Sequence, residues 1–121
     1  MDLNKIIEIQ KAFDSKHGWT PKSSQIEEIV DYINKDIVGL VGELGEFSNQ
    51  IKKINLVIDS NRSGEKIYYD KLENLSEEIV DTFIYIIRIA SHLNLNLEEE
   101  YLKKLHSNEL RFMGFDINEQ R

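Results

Sequence analysis

The stretch that decides the fold is SEEIVDTFIYIIRIASH, which runs from Ser76 to His92. Residues three or four apart share a face of an α-helix. Polar residues recur here at steps of three, four, three and four among mostly apolar ones: Glu78, Asp81, Tyr85, Arg88 and His92. The stretch therefore predicts a long helix with one polar stripe, whose apolar sides pack against several partners.

The chain on either side of this helix also has a helical period. Apolar residues recur near every 3.6 positions from Leu3 to Ser15, and again from Asp36 to about Leu56. One proline and six glycines in 121 residues interrupt few helices. We expect one all-α domain over residues 1–121, a helical bundle of four to five helices whose core is completed by oligomerisation.

Local signals predict where several helices begin and end. Gly18 is expected to end the first helix. Ser24 and Glu27 have the spacing of a capping box, which would start a short helix over residues 25–34 that can merge with the next one. Asn96 is the expected N-cap of a last helix that runs to about Arg111.

Two segments have weaker helical patterns. DSNRSGEK, residues 59–66, is rich in turn formers and is predicted to be a loop. IYYDKLENL, residues 67–75, is compatible with either a short helix or an extended segment. The tail after Gly114 is polar and is expected to be loose.

Composition and charge exclude several classes of protein. A net charge of −7 argues against binding to nucleic acid. The absence of cysteine excludes disulfides and thiolate metal sites. No apolar run reaches the length of a membrane span, and the first ten residues lack the apolar segment of a signal peptide. We expect a cytoplasmic protein with no membrane partner.

Two pairs of carboxylates lie at helical spacing, Glu43 with Glu46 and Glu78 with Asp81. If their helices pack antiparallel, four carboxylates can converge on one cavity, and four anions require cations there. Oxygen ligands without cysteine suggest Mg²⁺ or Mn²⁺, and a di- or triphosphate as the substrate. Two plainer interpretations stay open: the first pair lies on a solvated helix face, or the polar stripe is the exposed edge of its helix.

Three ordered motifs resemble the MazG-type nucleotide pyrophosphohydrolases, an all-α family that includes the dCTP pyrophosphatases. They are GELGE at residues 42–46, EEIVDTFIYIIRIA at residues 77–90 and KLHSNELRF at residues 104–112. The first two contain the ExxE and ExxD signatures of the family, and the third has its Lys, Asn, Arg and aromatic pattern. FDSKHGW, residues 13–19, is similar to the family's first helix and aromatic loop. The chain departs from the family at Gly42, where members often have a further Glu, and in a longer segment over residues 57–74.

The resemblance implies hydrolysis of a nucleoside triphosphate to the monophosphate and pyrophosphate, for house-cleaning of the nucleotide pool. The apolar helix from Ser76 to His92 predicts association, and both a homodimer and a homotetramer stay open. Glu43, Glu46, Glu78 and Asp81 would hold Mg²⁺, and Glu46 is the candidate that orients or deprotonates the attacking water. Contacts with the substrate are expected from His17, Trp19, Lys53, Tyr85, Lys104, Asn108 and Arg111.

Two further expectations concern packing. Gly42 and Gly45 lower helix propensity, which predicts that another helix or a substrate approaches closely there. Arg88 is expected to pair with Glu78 or Asp81. Two alternatives to an enzyme stay open: a helical interaction module, and a nucleotide-binding regulator without turnover.

Overall fold

The computed structural model describes residues 1–60 and 65–115. Within these ranges every regular element is helical, which confirms the all-α prediction. The elements are α1 (Leu3–Lys16), α2 (Ile26–Asp59), α3 (Glu65–His92), α4 (Leu97–Arg111) and a short 3₁₀ helix (Met113–Phe115). Each helix in the described ranges is too short or too polar to serve as a membrane span.

α1 and α3 end in the same hydrogen-bonded motif. At the end of α1, Gly18 has φ +75°, and the Trp19 N–H donates to the Asp14 carbonyl at 2.9 Å. At the end of α3, Asn94 has φ 54°, and the Leu95 N–H donates to the Ala90 carbonyl at 2.9 Å. A residue in the left-handed region followed by this bond is a Schellman motif, which turns the chain sharply away from the helix. The predicted end of the first helix at Gly18 is confirmed.

The predicted start of the last helix is also confirmed, whereas the capping box before α2 is wrong. The Asn96 side chain accepts a hydrogen bond from the Glu99 N–H at 3.1 Å. α2 instead begins after Gln25, which makes no side-chain cap. The Glu28 carboxylate reaches back and accepts from the Lys22 N–H at 2.7 Å, so it stabilises the loop rather than the helix end.

α2 and α3 are longer than the sequence pattern predicts. The two segments expected over residues 25–34 and 36–56 form one helix of 34 residues. α3 already begins at Glu65, so residues 67–75 are helical. Residues 61–64 of the predicted loop, and residues 116–121 of the predicted loose tail, lie outside the described residues. Of the longer segment over residues 57–74, residues 57–59 therefore belong to α2 and residues 65–74 belong to α3.

α2 and α3 pack antiparallel, and this pairing is the main tertiary contact. Gly39 faces Tyr85, and Glu43 approaches Glu78 and Asp81, so positions rise along one helix as they fall along the other. α1 packs on α3, and α4 packs on α1 and the 3₁₀ helix. The hairpin therefore brings the two predicted carboxylate pairs to one level of the fold.

The polar stripe of α3 faces the other helices, and much of its apolar surface faces outward. Ile87 is 2% exposed, whereas Ile79 and Val80 are 52% and 54% exposed. The side chains of Arg88 and His92 are only 15% and 5% exposed. Within the described protomer the apolar sides of α3 are thus only partly buried, and the contribution of a second subunit to their burial stays a prediction. The interpretation of the whole stripe as an exposed edge is wrong.

Candidate metal centre

Three carboxylates from α2 and α3 form a group that we call the carboxylate cluster. Glu43, Glu78 and Asp81 can each supply one oxygen such that all three oxygens lie within 4.8 Å of one another. Two ligands on opposite sides of Mg²⁺ lie about 4.2 Å apart, since each bond is about 2.1 Å. Three carboxylate oxygens at this spacing fit a hard divalent cation after small side-chain rotations.

The electrostatics of the carboxylate cluster favour a cation. Hydrogen bonding to the Glu43 carboxyl, partial desolvation and the negative charges of Glu43, Glu46 and Asp81 raise the pKa of Glu78 from 4.5 to about 7. Like charges that share a site disfavour ionisation of one member. A divalent cation would supply the missing positive charge and displace the shared proton.

Glu46 lies next to the carboxylate cluster without joining its three closely spaced oxygens. Its charge contributes to the raised pKa of Glu78, which places the two carboxylates within electrostatic reach. The side chain of Glu46 is exposed, while Glu43 and Glu78 are half-buried. The four predicted ligands therefore divide into three that converge and one that stands beside them.

Tyr85 lies one turn beyond Asp81 and packs against α2. A Cβ atom built on Gly39 would lie 2.3 Å from Cζ of the Tyr85 ring, so only glycine allows this approach. Nothing lies within 4 Å of the Cβ positions of Gly42 and Gly45. No other helix of the described protomer approaches those two glycines, and the close helix contact occurs one turn earlier, at Gly39. The alternative, the approach of a substrate there, stays a prediction.

Arg88 does not pair with Glu78 or Asp81 as the sequence suggests. Its Nε donates to Oδ1 of Asp14 on α1 at 3.0 Å, and Gln10 donates to the same oxygen at 2.8 Å. Asp14 is 5% exposed. The sequence of α1 contains a signal for this ion pair, because Gln10 and Asp14 share a helix face with Leu3 and Ile7. Polar residues on an apolar face indicate a buried polar partner.

Aromatic side chains from the end of α1 gather around Arg88. The Arg88 Cζ lies 4.9 Å from the Trp19 ring centroid and 5.4 Å from that of Tyr85. His17 stacks on Trp19 with centroids 5.0 Å apart, and Phe13 meets Trp19 edge-on at 5.8 Å. We call these four rings the aromatic cluster. The structure thus places two of the residues predicted to contact the substrate, His17 and Trp19, side by side, and Arg88 lies near the rings of both Trp19 and Tyr85.

The hydrogen bond of His17 defines its tautomer. Nδ1 lies 2.8 Å from the Phe13 carbonyl, which can only accept, so the proton of the neutral ring is on Nδ1. Nε2 is then free to accept a hydrogen bond. The His17 side chain is exposed, so this acceptor is available to a ligand.

The other predicted substrate contacts are not joined to the carboxylate cluster. Within residues 1–60 and 65–115, no hydrogen bond or ion pair joins the carboxylate cluster to the four basic or amide side chains that were predicted to contact the substrate. Arg111 lies 5.0 Å over the ring of its neighbour Phe112 instead. The four are Lys53, Lys104, Asn108 and Arg111, and those on α4 sit on a helix whose main contacts are with α1 and the 3₁₀ helix.

A second buried pair, which the sequence did not suggest, ties α2 to the end of α3. His92 Nε2 lies 2.7 Å from Oδ2 of Asp36, and the Tyr32 ring lies 5.8 Å from the His92 ring. Burial raises the pKa of Asp36, and the hydrogen bond from His92 opposes that effect. His92, but not Asp36, also lines a cleft of about 570 Å³ between α1, the following loop and the end of α3, and the residues of the carboxylate cluster do not line it.

The carboxylate cluster therefore offers a place for a hard cation on one face of the hairpin, and Arg88, further along the same stripe of α3, contacts the rings of Tyr85 and Trp19. Comparisons of the chain with models of protein families, with curated proteins and with solved structures find no match. What the site does is inferred from its geometry and from the motifs in the sequence.

Proposed function

We propose that the protein is a Mg²⁺-dependent nucleoside triphosphate pyrophosphohydrolase, which converts a (deoxy)nucleoside triphosphate to the monophosphate and pyrophosphate. The observation that carries this proposal is the convergence of Glu43, Glu78 and Asp81 within 4.8 Å. The ordered ExxE and ExxD motifs that supply these residues support the same activity. A role in removing unwanted nucleotides from the pool follows from the resemblance.

The residues of the carboxylate cluster would hold the cation through one oxygen each. When bound, Mg²⁺ neutralises triphosphate charge and lowers the pKa of a coordinated water. Glu46 stands beside the three carboxylates and is our candidate for the base that would orient the attacking water and accept its proton. The oxygen of that water would bond to the α-phosphorus as the bond from the phosphorus to the bridging oxygen of the leaving pyrophosphate breaks.

The aromatic cluster would receive the nucleobase. Trp19 is 45% exposed, so its ring has free surface. Rings of this kind stack on any base, because every base has a π-face. The Nε2 acceptor of His17 and the Tyr85 side chain would contact the base edge or the sugar. Lys53, Lys104, Asn108 and Arg111 remain candidates for the phosphates if another protomer or a rearranged α4 supplies them.

We further propose that a homodimer or homotetramer completes the core. Exposed apolar side chains on α3, such as Ile79 and Val80, support this. A monomer rarely leaves large contiguous apolar patches in water. Light scattering coupled to size exclusion tests the assembly, and a monomer at micromolar concentration would contradict it.

The activity is tested by incubating the protein with Mg²⁺ and a panel of canonical and modified triphosphates while measuring pyrophosphate. Glu46→Gln and Asp81→Asn should abolish release. Glu77→Gln is the matched control, because Glu77 is exposed on the same helix next to Glu78. It should leave release unchanged.

The same panel separates the alternatives. Thermal stabilisation by nucleotide with Mg²⁺, without pyrophosphate, would indicate a nucleotide-binding regulator. No response to either compound would indicate a helical interaction module and refute the enzyme.

A further inference from the structure

The strongest unassigned feature is the buried ion pair between α1 and α3. Arg88 and Asp14 are 15% and 7% exposed at their side chains, and they lie outside the carboxylate cluster. Burying two charges costs solvation free energy, so a buried ion pair contributes little net stability. We therefore ask what else the Asp14–Arg88 pair does in this fold.

Asp14 organises both Arg88 and Trp19. Its carboxylate accepts from Arg88 Nε at 3.0 Å, and its backbone carbonyl accepts from the Trp19 N–H at 2.9 Å. The left-handed turn at Gly18 returns the chain so that this second bond can form. One residue thus sets the position of a guanidinium and of the indole against which it lies.

Arg88 in turn contacts two rings, Tyr85 on its own helix α3 and Trp19 in the loop that follows α1. Its guanidinium lies 4.9 Å from the Trp19 centroid and 5.4 Å from the Tyr85 centroid. A planar cation attracts the faces of aromatic rings within about 6 Å. Lysine cannot substitute fully, since it is a point charge without a plane that stacks.

We propose that Arg88, held by Asp14, is a positioning residue that fixes Trp19 and Tyr85 as the stacking surface for the nucleobase. The inference rests on the proposed function, and it adds how the base, as distinct from the triphosphate, is bound. The Asp14–Arg88 pair acts on affinity for the aromatic part of the substrate. The carboxylate cluster acts on the phosphates, and the two contributions are separable.

The first experiment needs no nucleotide. Trp19 is the only tryptophan of the chain, so its fluorescence reports on this surface alone. Arg88→Gln and Asp14→Asn should make Trp19 more accessible to acrylamide and shift its emission. Lys35→Gln is the matched control, because Lys35 also pairs with a carboxylate, Asp31, and lies 5.5 Å from a tyrosine ring, but is 71% exposed.

The second experiment compares two ligands by calorimetry with Mg²⁺. One is a set of non-cleavable α,β-imido deoxynucleoside triphosphates, and the other is inorganic tripolyphosphate, which lacks a base. Arg88→Lys, which retains the charge at Asp14, guards against loss of folding. It should lower affinity for the nucleotides by about 5- to 150-fold, the range of one lost base stack, and leave tripolyphosphate affinity unchanged.

Each of these measurements can contradict the positioning role of Arg88. Equal losses for both ligands, or no loss for either, would overturn the positioning role. Unchanged acrylamide quenching in Arg88→Gln would overturn it independently of any ligand. If the wild-type protein binds neither ligand, the proposed function fails, while the quenching experiment still reports on how Arg88 holds Trp19.

Discussion

Replacing Gly39 by alanine tests the contact that holds Tyr85 beside the carboxylate cluster. The new Cβ would lie 2.3–2.5 Å from Cζ, Cε1 and the hydroxyl of the Tyr85 ring. Carbon atoms pack at about 3.5–4.0 Å, so the ring must move by more than about 1 Å. In an open helix, alanine is instead more stable than glycine by about 1 kcal/mol.

The magnitude follows from these two opposing effects. Overpacking of a well-fitted contact costs about 1–3 kcal/mol, which offsets or exceeds the gain in helix propensity. Gly42→Ala is the matched control, because nothing lies within 4 Å of its Cβ position. We expect Gly42→Ala to raise the free energy of unfolding by about 0.5–1 kcal/mol. Gly39→Ala should be less stable than Gly42→Ala by about 1–3 kcal/mol.

The assay is thermal unfolding at one protein concentration, followed by circular dichroism. For a chain of this size, 1 kcal/mol corresponds to roughly 3–6 °C, so the two variants should differ by at least about 3 °C. In a Tyr85→Ala background the ring is gone, and Gly39→Ala should become stabilising. If Gly39→Ala raises the Tm of the unmodified protein as much as Gly42→Ala does, the reasoning fails.

Three other outcomes are expected. Without metal, the proton on Glu78 persists to about pH 7 in the folded protein and to 4.5 when unfolded. Because the folded protein binds this proton more tightly, protonation of Glu78 contributes to the free energy of unfolding fully below pH 4.5, and the contribution is lost as the pH rises through about 7. Melting curves from about pH 5 to 8 should show the Tm falling as the pH rises, and Glu78→Gln should flatten this dependence. Mg²⁺ should raise the Tm near pH 8 in the unmodified protein only. A pH dependence that survives in Glu78→Gln would assign the effect to another group. Asn96→Ala removes the bond to the Glu99 N–H and should cost about 1 kcal/mol in urea unfolding, and an unchanged midpoint would contradict the cap. Asp36→Ala leaves His92 without its partner at 2.7 Å, which should cost about 1–3 kcal/mol by the same measurement, and a neutral result would show that the pair is replaced by water.

The parts of the fold that depend on local chemistry could be predicted from the sequence. Gly18 ends α1 and Asn96 begins α4, because each motif involves residues within five positions. The pairing of Glu43 with Glu78 and Asp81 was also accessible, since helical spacing and an antiparallel packing suffice. The full length of α3 does not follow from the sequence pattern, because residues 67–75 have no strong apolar period, although they are helical in the structure.

Features that depend on tertiary packing could not be predicted in this way. The stripe on α3 was visible, but the side of the helix that faces a partner depends on where α1 and α2 lie. Arg88 had two acidic residues on its own helix as apparent partners, and its actual partner is Asp14. The close contact of Gly39 with Tyr85 is not predictable from the sequence, because no residue near Gly39 indicates that a ring of α3 packs there.

The contact between Arg88 and Asp14 also has a consequence for the order of assembly. The two residues are 74 positions apart, so about 4–15 s of synthesis separate them at about 5–20 residues per second. During that time α1 is an isolated helix of 14 residues, a length that is marginal in water. α2 and α3 are neighbours in the chain and can pair first. A nascent chain can thus bring Glu43 close to Glu78 and Asp81 before Trp19 reaches its place against Arg88.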